Sequence, residues 1–278
     1  MLLKPHNKPL EHLTVSAIQM SAGPKKEKNL ANARRLVDQA LRNLARVVVL
    51  PEGFLMRAPH KDLIAEAETL DGPAIKALQA DAKKFCAWLV LGGVLLKPKA
   101  KAKGKDKVEN TLILIGPDGE IKATYVKMHL FQSLVPNAKV SEVDFCIPGK
   151  KPLMVDIHGF KVGFSICYDL RFPDLYQHYA KEGADLLIIP AAFTFETGRH
   201  HWHTLVKARA IETQCFVLAA NQSGQGANRV MAYGHSLILD PWGLTLSEAG
   251  PQTKTIISAT LEKQRLQEVR NQIPMQRV

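Results

Sequence analysis

A mixed α/β fold, one domain whose helices cover two β-sheets, is what this sequence predicts, and three observations predict it. Short Val-, Ile- and Leu-rich runs alternate with amphipathic helical patterns in some places and with hairpin turns in others. The 278 residues are 46% hydrophobic, which is enough to bury a large core. No compositional break or internal repeat divides the chain, so residues 1–278 read as a single domain, with a core over 13–260 and a C-terminal helix and tail over 261–278.

The elements follow from local chemistry. Leu13 to Gln19 reads as a first strand, and Asn29 to Ala45 then carries Leu30, Ala33, Leu36, Val37, Ala40, Leu41 and Leu44 at helical spacing. Arg46 to Leu50 is a buried strand ending at Pro51-Glu52-Gly53-Phe54. Asp71-Gly72-Pro73 puts proline at a first helical position, where its missing donor is not needed, and predicts a helix to Phe85. Trp88 to Leu96 and Thr111 to Ile115 make a hairpin with an enlarged tip, and the turn Gly116-Pro117-Asp118-Gly119 leads into a partner strand, Ile121 to Val126. Gln132 to Pro152 is irregular and longer than most connections, which marks it as functional. Leu153 to Ile157 and Phe160 to Ile166 pair through His158-Gly159. A helix from Pro173 to Glu182, a strand from Asp185 to Ile189, a loop from Ala191 to Arg199 and a helix from His200 to Thr213 come next. Cys215 to Ala220 is a strand, Asn221 to Met231 a polar loop, Gly234 to Leu239 and Thr253 to Ala259 are strands, and Leu261 to Gln272 is a final helix.

Charge sets limits on partners. The net charge of +11 suggests an anionic partner, but a good part of it sits in one low-complexity run from Lys97 to Lys107, so 97–109 reads as a basic, solvated surface loop. No aromatic interleaving or nucleic-acid module accompanies it, and binding of nucleic acid is not expected. Cys86, Cys146, Cys167 and Cys215 are widely spaced without a C-x-x-C pair, which points to a reducing compartment rather than a disulfide framework. Met1 to His12 lacks the apolar core of a signal peptide, and no run reaches the roughly 20 apolar residues of a membrane span, so a soluble, cytoplasmic protein is the expectation.

Three chemically able side chains fall just past strand ends. Cys167 ends the apolar run Val162 to Ile166, and Pro173 then opens a helix. Backbone N–H groups at such a turn can lower a thiol pKa and serve an oxyanion, although a cysteine there can also be a small buried hydrophobe. Glu52 follows Val-Val-Val-Leu, where burial predicts a raised pKa suited to a general base. Lys127 follows Ile121 to Val126, with apolar residues after it that favour partial burial. A carboxylate, an ammonium and a thiol placed equivalently in one α/β sheet meet the needs of acyl transfer.

These residues, in "VVLPEGF", "YVKMHLF" and "ICYDLRFP", together with "HWHTLVKARAIETQCFVLAANQSG" and "YGHSLILDPWG", resemble the nitrilase superfamily of carbon–nitrogen hydrolases over nearly the whole chain. "ARAIETQCFVLAA", "YGHS" and "DPWG" look most like its deaminated glutathione amidase branch, with ω-amidases close behind. The resemblance implies a four-layer α-β-β-α sandwich, no cofactor, and a homodimer. It implies a Glu-Lys-Cys triad of Glu52, Lys127 and Cys167, with Glu142 as a supporting second glutamate. In that chemistry Cys167 attacks a carboxamide carbon, and Glu52 takes the thiol proton and passes it to departing ammonia. Water then cleaves the thioester, while Lys127 and the backbone N–H of Tyr168 stabilise the oxyanion.

Other readings compete at single positions. Asp169 and Arg171 read as a local ion pair holding the turn, with Arg171 otherwise free to bind a substrate carboxylate. The run Arg199-His200-His201-Trp202-His203 offers two histidines three apart without further ligands, so no metal is expected. His129 reads as a packed or hydrogen-bonding residue and Trp202 as core. Nitrile and N-carbamoyl substrates, or a role in binding anions or nucleic acid through the Lys-rich loop, are the alternatives to amide hydrolysis.

Overall fold

A computed structural model describes residues 9–98, 107–135, 140–227, 229–251 and 254–275. The N-terminal stretch before residue 9, the centre of the Lys-rich loop and the end of the tail lie outside the described residues. In chain order the elements are β1 (His12–Gln19), α1 (Lys26–Arg42), β2 (Val47–Leu50), α2 (His60–Ala65), α3 (Pro73–Phe85), β3 (Trp88–Leu96), β4 (Glu109–Ile115) and β5 (Ile121–Val126). Next come β6 (Gln132–Ser133), β7 (Val140–Ser141), β8 (Leu153–Ile157), β9 (Phe160–Phe164), a 3₁₀ turn (Cys167–Arg171), α4 (Pro173–Lys181), β10 (Leu186–Ile188) and α5 (Phe195–Thr213). The last are β11 (Phe216–Ala219), β12 (Ser223–Gln225), β13 (Met231–Tyr233), β14 (Leu237–Leu239), β15 (Thr245–Glu248), β16 (Thr255–Glu262) and α6 (Lys263–Gln272).

Two six-stranded sheets result, ordered β16-β1-β2-β3-β4-β5 and β15-β14-β11-β10-β9-β8. Strand alternation sorts the layers. Val47 and Val49 of β2 join Leu13, Val15 and Ala17 of β1 in a core shared with Phe160, Val162 and Phe164 of β9. Val48 and Leu50 face the other way, against Leu36, Val37 and Ala40 of α1 and Ile75 and Leu78 of α3. Tyr176 and Tyr179 of α4 and Trp202, Val206 and Ala210 of α5 pack with the second sheet. The result is the expected four-layer α-β-β-α sandwich, in which β1, β2 and β3 run parallel, as do β9, β10 and β11.

The differences from the sequence reading lie at boundaries and in loops. The first helix begins three residues early, at Lys26, and stops at Arg42, because Leu44 adopts a left-handed φ of 67° that ends it. The helix read from His200 starts at Phe195, since the Thr194 side chain caps it by accepting the Thr197 N–H at 3.4 Å. Leu261 belongs to β16, and the last helix starts at Lys263. The helix α2 and the strand β15 were not expected. Nor were the ribbons β6–β7 and β12–β13 inside the two long loops.

Candidate active site

The ends of strands from both sheets and from a loop ribbon deliver the site. Glu52 lies two residues past β2, Lys127 directly past β5, and Cys167 in the turn after β9, while Glu142 follows β7. All four are buried, Lys127 at 1% exposure. Lys127 Nζ lies 2.8 Å from Glu52 Oε1 and 2.7 Å from Glu142 Oε2, so one ammonium bridges two carboxylates. Cys167 lines the same cavity as Glu52, Lys127 and Ala192, close enough for the thiol and the Glu52 carboxylate to shift each other's pKa. Side chains 75 residues apart in sequence thus meet at one spot, as the sequence reading required.

Cys167 adopts φ 47°, a left-handed conformation unusual for a residue with a Cβ. Its N–H donates to Pro190 O at 2.9 Å, and the first bond inside the turn is Asp169 N–H to Ile166 O at 3.0 Å. The Tyr168 amide therefore has no partner within the turn, as befits a donor at the start of a helical segment.

Asp169 is the anchor of this turn. Its fully buried carboxylate accepts the Tyr125 hydroxyl at 2.7 Å, the Ile166 N–H at 2.9 Å and the His129 N–H at 2.9 Å, and meets His129 Nδ1 at 2.8 Å. The expected Asp169–Arg171 pair does not form, because those donors surround the carboxylate. Arg171 instead approaches His201 Nδ1 at 3.2 Å and lies 5.2 Å above the Phe193 ring. His129 is a hydrogen-bonding residue, stacked on Phe172 at 3.6 Å, and Trp202 is fully buried.

Two pKa expectations are corrected. Burial alone would raise Glu52, but the Lys127 charge, the Cys167 thiol and the Asn110 amide together hold its carboxyl below the usual range. Burial and the Glu52 charge push the Cys167 thiol up, against the opposing Lys127. The resting pair is a neutral thiol beside a carboxylate ready to accept its proton. Burial would lower Lys127, yet Glu142 and Glu52 outweigh it and keep the amine an ammonium.

The sequence reading missed Asn110 and Arg57. Asn110 Nδ2 donates at 2.9 Å to Oε1 of both Glu52 and Glu142, from a buried position in β4. A lone buried amide within an apolar strand was the only signal. Arg57 donates to Gly224 O at 3.2 Å and Val230 O at 2.8 Å, tying the β12–β13 ribbon to the wall of the site, and burial lowers its pKa to about 10. The cavity above Cys167 is lined by Glu52, Lys127, Glu142, Phe131, Leu55 and Phe145, and continues to His60, Leu63 and Lys26. A side cleft at Cys167 is lined by Tyr168, Arg171, Phe193, Thr194 and Thr197.

The chain has relatives among known proteins. The carbon–nitrogen hydrolase family model matches residues 14–271. A deaminated glutathione amidase of Synechocystis is 38% identical over 262 residues, 93% of this chain and 95% of that protein. The omega-amidase NIT2 of Danio rerio is 36% identical over 262 residues, 94% of this chain and 92% of that protein. Among solved structures, Saccharomyces cerevisiae Nit3, a member of branch 10 of the nitrilase superfamily, superposes with a TM-score of 0.86 at 30% identity, covering 99% of this chain and 98% of that one. The C. elegans NitFhit protein gives a TM-score of 0.87 at 33% identity, covering 96% of this chain and 64% of that longer one. Sequence and fold agree, and the chain belongs to the carbon–nitrogen hydrolase family of the nitrilase superfamily, as a hydrolase acting on carbon–nitrogen bonds other than peptide bonds.

Proposed function

We propose that this protein hydrolyses a small-molecule amide of the deaminated-glutathione type through a Cys167 thioester. The observation that carries the reading is the convergence of buried Cys167, Glu52 and Lys127 on one cavity, with Lys127 Nζ 2.8 Å from Glu52 Oε1. Glu52 accepts the thiol proton as sulfur attacks the amide carbon, and returns it to the departing nitrogen. Water, deprotonated by Glu52, then cleaves the thioester and frees the acid. Lys127 and the Tyr168 N–H hold the oxyanion in both steps, a contribution of about 3 kcal/mol per fixed donor. Glu142 orients Lys127. No residue of the scheme needs a cofactor.

The similarity to a deaminated glutathione amidase favours that substrate class by a narrow margin over a 2-oxo dicarboxylic monoamide, the ω-amidase class. The cavity extends past the reacting groups to His60, Leu63 and Lys26, which supports a leaving group larger than ammonia. For deaminated glutathione that group is the amine of cysteinylglycine, so ammonia release alone would miss the reaction. The test measures the shared 2-oxo acid product and both amine products with each substrate. We expect faster turnover of deaminated glutathione, lost by several orders of magnitude in Cys167→Ala with the fold retained by circular dichroism. Faster turnover of the monoamide assigns the protein to the ω-amidase class, and full activity of Cys167→Ala removes the nucleophile assignment.

A further inference from the structure

Away from the cavity, His203 of α5, His235 between β13 and β14, and Glu248 at the end of β15 bring two ring nitrogens and a carboxylate oxygen within 4.8 Å of one another. His203 Nε2 lies 3.0 Å and His235 Nδ1 2.8 Å from the same atom, Glu248 Oε1. The histidine-rich run of α5 carries no ligand set by itself. The fold supplies the missing members from two later elements.

The backbone of His235 is held in place. His235 has φ 55°, in the left-handed region where histidine is commoner than most side chains, and its backbone is pinned on both sides. Its N–H donates to Gly250 O at 2.9 Å, and its carbonyl accepts the Trp202 indole N–H at 2.6 Å. The ring stacks on Tyr233 with centroids 4.4 Å apart. Trp202 adjoins His203, so the same turn of α5 fixes one ligand and carries another. Hydrogen bonds alone account for two histidines meeting a carboxylate. With the His235 backbone fixed at both ends and a second imidazole and a carboxylate within reach, the three side chains form a ready ligand set for a cation.

We propose that His203, His235 and Glu248 bind a zinc-class divalent cation, with water in the fourth position, and that the ion clamps α5 to the β13–β14 connection and to β15. Two imidazoles and a carboxylate suit zinc, and ligand bonds of about 2.0–2.2 Å place neighbouring ligand atoms roughly 3.3 Å apart in a tetrahedron. The nitrogen–oxygen spacings of 2.8 and 3.0 Å need to open slightly, and the two nitrogens, within 4.8 Å of each other, to settle at the same separation. Each coordinating nitrogen presents its lone pair, with the ring proton on the other nitrogen. None of the three residues lines the cavity at Cys167, so the site is separate from the reacting groups.

The test uses tag-free, chelator-stripped protein carrying Cys167→Ala, so that the thiol in the catalytic cavity does not compete. Where that background folds poorly, wild-type protein alkylated at Cys167 replaces it. Zinc is titrated against a chromophoric chelator, and cobalt by its visible absorption. We expect one equivalent of zinc per chain, a cobalt spectrum without thiolate charge-transfer bands, and a zinc-dependent rise in Tm. His203→Ala and Glu248→Gln should each weaken zinc binding by at least about tenfold and abolish the Tm rise, with metal-free Tm near the parent value. Unchanged zinc affinity in both variants, or a thiolate band with cobalt, overturns the proposal.

Discussion

Asn110 shows how a neutral residue tunes a charged one. Its amide donates to Glu52 and to Glu142, and hydrogen bonds to a carboxylate favour the ionised form. Removing it takes away a support that lowers the Glu52 pKa, so that pKa rises. Asn110→Ala should therefore move the acid limb of the kcat/KM profile to higher pH, whereas a variant that merely loosens the fold would lower the plateau without moving the limb. A limb that stays in place removes Asn110 from the mechanism. Arg171 is tested by a different split. Its guanidinium borders the side cleft at Cys167, and a planar fork binds a carboxylate where an ammonium cannot match it. Arg171→Lys should raise KM for a substrate with a free carboxylate by about tenfold with little change in kcat. Equal KM values in the two proteins would place the substrate carboxylate elsewhere.

At the scale of elements, the site depends on a bulge in β3. Pairing of β3 with β4 shifts register between Leu91 and Val94, and Gly93 within the shift has φ 60°. A Cβ there would lie 2.8 Å from both Asn110 Oδ1 and Glu52 Cγ. Gly93→Ala should thus cost about 1–3 kcal/mol of stability and also displace the base, with kcat falling far more than urea denaturation would suggest. A variant with the expected stability loss and undiminished kcat would show that the Glu52 position tolerates the intrusion. The same element marks the limit of what could be read beforehand. Strands long enough to show alternation, and the residues just past their ends, were legible, which is why Glu52, Lys127 and Cys167 could be placed together. Ribbons of two or three residues carry no period. The Glu52 pKa depends on Lys127, 75 residues away, so burial alone gave the wrong direction. Asn110 was invisible because its role exists only once β4 lies beside β3 and the loop bearing Glu142 folds over it.

For the whole molecule, the second sheet leaves β15 at its edge, with Leu246 at 43% exposure and Leu244 just before it at 56%. Apolar side chains exposed together beside an edge strand suit burial against a second surface. Ile211 of α5 is 47% exposed and adjoins this turn, since a Cβ on Gly243 would lie 2.8 Å from Ile211 Cγ1. Ile273, 50% exposed, extends the patch, its carbonyl accepting the Gln214 amide at 2.7 Å. The homodimer implied by the family resemblance needs about 800 Å² from each copy, and we propose that this face supplies part of it. Light scattering after size exclusion should give twice the chain mass for the wild type. Ile211→Asp or Leu244→Asp should bring the particle to one chain mass at micromolar concentration, because a carboxylate buried without a partner is costly. Leu44→Asp, at a residue 54% exposed after α1 on the far side of the other sheet, serves as the control and should remain dimeric. A wild type of single-chain mass, or a dimer indifferent to both substitutions, would reject this face as the interface.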